Sequence, residues 1–168
     1  MSVTNFPTRN DLPAEARTKL VALLNQQLAD SIDLYSQTKH AHWNVKGPTF
    51  IALHELFDKL AEDLEDPIDD IAERATALGG IVSGTVRQTA TTSRLTEFPG
   101  NTFLGQAVVE ALAVRYAELA KSTRAACEKA IGEKTSQLGD MRGIIEVMSR
   151  RFKSGEHDVA ARHNEHQP

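Results

Sequence analysis

Apolar residues recur every three or four positions along most of this chain, the period of helices that bury one face. Leu20, Leu24, Leu28 and Ile32 form the first such stripe, which continues through Tyr35 to about Val45. It begins after NDLP, where Asp11 is placed to act as a cap. Lys46-Gly47-Pro48 breaks the pattern, because Gly permits a left-handed turn and Pro disfavours helix before it, and Thr49 is placed to cap the next helix. A second stripe runs through Phe50, Leu53, Phe57, Leu60, Leu64, Ile68, Ile71, Ala75 and Leu78 and stops at Gly79-Gly80. Pro67 lies inside it and predicts a local bend, since proline removes a backbone donor and crowds the preceding turn.

Residues 80–101 are rich in Gly, Ser and Thr and hold no long period; within them SRLTEF, 93–98, reads as a short helix. Periodicity returns from about Phe103 to Ile131, with Val108, Leu112, Tyr116, Leu119 and Ala126 inside, and again from about Ser136 to Phe152. Two helices joined by a tight turn, a long connection and two more helices predict an all-α, ferritin-like four-helix bundle with a long crossover between helices 2 and 3. Residues 1–12 are then an N-terminal extension, 13–153 the bundle domain and 154–168 a polar tail.

Composition narrows the picture without changing it. The chain has 168 residues, enough for one core, and few aromatics, 5%, which disfavours a sheet-rich fold. Its single cysteine, Cys127, excludes an internal disulfide and falls inside a helical pattern as a packing residue. No run approaches the roughly 20 apolar residues of a membrane span, and the opening segment lacks the order of a secretion signal, so a cytoplasmic protein without membrane contact is expected. A net charge of −4 opposes unspecific attraction to phosphate backbones.

The candidate chemistry sits at the first break. HAHWNVKGPTFIALHELFD, residues 40–58, gathers three histidines, the only tryptophan and an aspartate where two helices meet. On the second helix His54 and Asp58 are four apart, as are Asp69 and Glu73, and at ~100° per residue all four fall within an arc of about 100° beside the apolar stripe. The pairs are nevertheless ~22 Å apart along the axis, so one helix cannot close one metal site. Residues 54 and 73 share their midpoint with 58 and 69, so an antiparallel two-fold partner would set His54 opposite Glu73 and Asp58 opposite Asp69 of its mate. Two equivalent sites of imidazole and carboxylate would result, a donor set suited to Fe(II). His42, returned to this region by the turn, is a fifth ligand; Trp43 supplies an apolar wall, and His40 points elsewhere. Against this stands the ordinary reading of each part alone: carboxylates four apart on a solvated helix face, a satisfied interface histidine and a core tryptophan.

TKHAHWNVKGPTFIALHELFDKL and DDIAERATALGG, with FPTRNDLP and LLNQQLADSIDLYSQTKHAHWN ahead of them, resemble the Dps family of bacterial miniferritins over roughly residues 5–135. The resemblance implies a ferroxidase centre of His42, His54 and Asp58 from one subunit with Asp69 and Glu73 from its two-fold neighbour, and Trp43 beside it. It implies a hollow homododecamer that oxidises Fe(II), preferentially with hydrogen peroxide, and stores Fe(III) mineral. Glu55, Glu62 and Asp66, on the acidic side of the same helix, are expected either to face the cavity or simply to solvate a surface. The chain departs from the family pattern at Pro67 and after Leu138, where SRRFKSGEHDVAARHNEHQP lacks an aromatic-rich helix end.

Two alternatives belong to other classes. A nucleoid-associated protein that binds or protects DNA would rely on Arg150, Arg151, Lys153, Arg162 and the tail histidines, since the amino end offers only Arg9 before residue 17. A bundle that holds zinc, or only supports assembly, would bind metal without oxidising it.

Overall fold

The first helix is positioned by Pro13. A computed structural model describes residues 6–132 of the chain, and in it α1 spans Ala14–Asn44 with Pro13 as the flanking residue. No side chain caps this end. The expected role of Asp11 is therefore corrected: the cap position falls two residues later, on Pro13, whose side chain has no acceptor to offer.

At the far end, Gly47 takes φ +112°, the left-handed region expected of the break. Phe50 N–H donates to Gly47 O at 3.1 Å, and α2 comes next as Phe50–Ala77. Thr49 occupies the capping position without making a side-chain bond. Pro67 is buried within α2, which passes through it as one helix. The end of α2 is a Schellman turn: Gly79 at φ +81°, Gly80 N–H to Ala75 O at 3.0 Å and Gly79 N–H to Thr76 O at 2.8 Å. A Cβ on Gly79 would lie 2.6 Å from the Phe6 carbonyl, because the amino-terminal segment runs across this turn and Phe6 N–H donates to Gly79 O.

The crossover holds one short helix, α3, at Val86–Thr92. The sequence pattern predicts it one segment later, on 93–98, and this expectation is corrected. Thr85 and Gln88 form a reciprocal capping box that starts a helix before the SRLTEF stretch is reached. Arg94 is meanwhile drawn out of helical geometry: its backbone N–H, Nε and Nη2 all bond the carboxylate of Asp30, which is fully buried on α1. Ser93 Oγ donates to Asp33 one turn along.

The third long helix, α4, spans Gly105–Gly132. Contacts of Thr38 with Tyr116 and of Gln27 with Thr123 run α4 antiparallel to α1, hence parallel to α2. The crossover must therefore travel back along the bundle, and it arrives where Lys46 N–H donates to Phe103 O at 2.8 Å. The apolar interior forms three successive groups along the axis: Leu20, Val21, Leu24 and Leu28 against Ile71 and Ala75; Leu34, Leu64 and Leu119 in the middle; and Ala41, Val45, Phe57, Val108 and Leu112 at the turn end. The fold is all-α, as expected; the predicted fourth long helix at 136–152 and the polar tail lie outside the described residues. Among those described, no helix is long and apolar enough to cross a membrane.

Candidate metal centre

The tight turn brings the last turn of α1 against the first two turns of α2, and with them His42, His54 and Asp58. The imidazoles of His42 and His54 stack with centroids 3.7 Å apart and planes inclined by 23°. Each is fixed by the other's backbone: His42 Nδ1–H donates to His54 O at 2.8 Å, and His54 Nδ1–H donates to His42 O at 3.0 Å. A carbonyl can only accept, so Nδ1 carries a proton in both rings, and the neutral form of each presents its lone pair at Nε2. That is the arrangement by which a second partner fixes the tautomer of a metal-binding histidine. Phe50 packs against His54 at 5.1 Å between centroids.

Asp58, one turn beyond His54, directs Oδ1 to within 3.8 Å of His42 Nε2. The same oxygen accepts a hydrogen bond from Lys39 Nζ at 2.5 Å. The hydrogen bond from the Lys39 ammonium holds the Asp58 carboxyl below the usual carboxylate range, and Asp58 in turn raises Lys39. Asp58 is therefore an anion at neutral pH. Lys39 was absent from the sequence-derived candidates, yet the signal existed: it lies three residues before His42, hence on the same face of α1.

Three donors of the right chemistry thus converge, though among the described residues of one chain no cluster of three His, Cys, Asp or Glu is disposed to hold a metal by itself. Within one chain Asp58 Oδ1 stays 3.8 Å from His42 Nε2 and is bonded to the Lys39 ammonium instead. Asp69 and Glu73 are exposed and lie several turns away on α2, so a single chain does not bring them to the histidines. Trp43 is 67% exposed and does not wall the imidazoles within the chain. It belongs with Phe50 and Ile51 to the exposed apolar groups around the turn. His40 packs on Phe98 at 5.4 Å, away from the pair.

The helical bundle is that of the ferritin-like class, and the ferritin-like domain matches residues 21–145. The DNA protection during starvation protein of Agrobacterium fabrum is 41% identical over 121 residues, covering 72% of this chain and 75% of that protein. Among solved structures, a Dps protein from Vibrio cholerae O1, described as a member of a broad superfamily of ferritin-like diiron-carboxylate proteins, superposes with a TM-score of 0.77 at 27% identity, covering 90% of this chain and 92% of that one. Dps from Mycobacterium smegmatis superposes with a TM-score of 0.75 at 28% identity, covering 88% and 85%. The chain belongs to the Dps family of ferritin-like proteins.

Proposed function

We propose that the chain is a ferroxidase that oxidises Fe(II) and stores the ferric product inside a homo-oligomer, a dodecamer by family analogy, with each site shared across a two-fold contact. The carrying observation is the mutual clamp of His42 and His54, which leaves two Nε2 lone pairs beside an ionised Asp58. Neutral imidazole and carboxylate bind Fe(II) and compensate the charge gained when it becomes Fe(III). Asp69 and Glu73 of a neighbouring subunit complete the set in this reading. Trp43, exposed in one chain, would then be covered by the same contact.

Hydrogen peroxide is the oxidant we favour. Two Fe(II) ions each give one electron, the O–O bond breaks, and both oxygens leave at the level of hydroxide or water. Uncoupled one-electron chemistry would instead release hydroxyl radical, so pairing the two oxidations protects the surroundings. The test mixes anaerobic Fe(II) with protein and peroxide and monitors ferric absorbance. His54→Ala combined with Asp58→Ala is expected to slow oxidation by roughly tenfold or more, the order of loss seen when metal-site groups are removed. Unchanged rate and iron loading would dismiss the site.

A second reading, contact with DNA, is favoured by the name of the Agrobacterium relative. The basic residues to which the sequence assigns it, Arg150, Arg151, Lys153 and Arg162, lie outside the described residues. Gel retardation at low salt and pH 6 is the check, where no shift of duplex DNA rejects it.

A further inference from the structure

Lys39, His42, His54 and Asp58 form a four-cornered group: the first two lie three apart on α1, the second two four apart on α2, and the antiparallel helices set the pairs face to face. Three corners are donors to a metal. The fourth is a cation, and it holds the particular oxygen of Asp58 that faces His42 Nε2. Its position is well defined, because the Lys39 side chain is 22% exposed while Asp58 is 44% exposed. Lys39 therefore reaches Asp58 along the helix surface rather than from open solvent.

Resting on the metal-site reading above, we infer that Lys39 is a built-in counter-cation that occupies Asp58 until a divalent metal displaces it, and so sets how tightly the half-site holds its metal. An ammonium and a divalent ion cannot both sit at hydrogen-bond or ligand distance from one carboxylate oxygen without strong repulsion. Metal entry therefore requires Lys39 to swing away or to shift to the other oxygen. In the absence of metal the lysine neutralises a carboxylate that would otherwise face two imidazoles and attract any available cation. The chain thereby discriminates by charge: a monovalent ion offers Asp58 no more than the ammonium already does, whereas a divalent one does. Lys39 is a positioning residue, acting through Asp58 and making no bond to the metal.

The experiment titrates Co(II), a redox-inert probe whose visible absorption reports its ligands, into the assembled wild-type protein and into Lys39→Met, Lys39→Arg and His54→Ala. Lys39→Met keeps the aliphatic stem and removes the charge; it is expected to bind Co(II) several-fold tighter, roughly the two- to fivefold shift that results from losing one partly exposed ion pair. Lys39→Arg, which keeps the charge, should stay near wild type. The Lys39→Met gain should shrink at high salt, as screening weakens the wild-type pair. Equal or weaker Co(II) binding by Lys39→Met, with His54→Ala still defective, overturns the lysine's role and leaves the metal site standing. If His54→Ala binds Co(II) as wild type does, the site itself falls, and the inference with it. Circular dichroism and size-exclusion profiles establish that the variants fold and assemble; Lys39→Gln carries the comparison should Lys39→Met not.

Discussion

Asp30 illustrates what individual residues contribute beyond the candidate site. Its side chain has no exposure, and its two oxygens receive the Arg94 backbone N–H, Arg94 Nε and Nη2, and Gln26 Nε2. A buried carboxylate so fully bonded is expensive to disturb, since removing it leaves partners aligned for an anion without one. Asp30→Ala is expected to lose roughly 1.5–3 kcal/mol of stability, the range for hydrogen bonds to a charged group, measured as a lowered urea midpoint. A midpoint unchanged within error would show the bond network to be incidental. At this scale the sequence was legible where chemistry is tied to spacing, as for His54 and Asp58 four apart. It was illegible where a residue's meaning depends on a partner far along the chain: nothing near position 30 announces Arg94, sixty-four residues away. Lys39 lies between these cases, readable once His42 is taken as fixed.

Elements were legible in proportion to their length. The three long helices of the described region arise from stripes of apolar residues and from Gly47 and Gly79, whose positive φ values match the breaks predicted for them. The crossover was misread because its short helix owes its place to the Thr85–Gln88 capping box and not to an apolar period. SRLTEF carries the better-looking stripe, yet Arg94 is held by Asp30, Leu95 packs beside Leu34 and Leu64, and Thr96 is held by Glu118. Tertiary partners outvote weak local preference in a segment of this length. The same contest was won by helix at Pro67, where a buried position on the core face of a long, packed element keeps α2 continuous despite the missing donor.

For the whole molecule, the decisive proposition is that one chain supplies half a centre. The geometry within one chain agrees with the sequence argument to this extent: 54 and 58 approach 42, while 69 and 73 remain exposed and remote. A complementation experiment tests the remainder. Chains carrying His54→Ala with Asp58→Ala, co-expressed with chains carrying Asp69→Ala with Glu73→Ala, would form mixed two-fold pairs having one intact and one doubly damaged centre. Random pairing makes half of all pairs mixed, so about a quarter of wild-type oxidation is expected to return. Each variant alone should show almost none. Activity no greater in the mixture than in the separate variants would place the centre elsewhere. Nothing in a single sequence could decide this question, because a shared site is a property of two copies.

The crossed bonds between the rings and backbones of His42 and His54 have one more implication. They tie the meeting of the two rings to the number of residues between the start of α2 and His54. One residue more or fewer inside α2 ahead of His54 would turn the His54 side chain by ~100° about its helix and shift it by ~1.5 Å. Both histidines would still be encoded, yet the two rings would no longer find each other's carbonyls. The first turn of α2 thus behaves as a calibrated spacer between the Gly47 break and the paired rings.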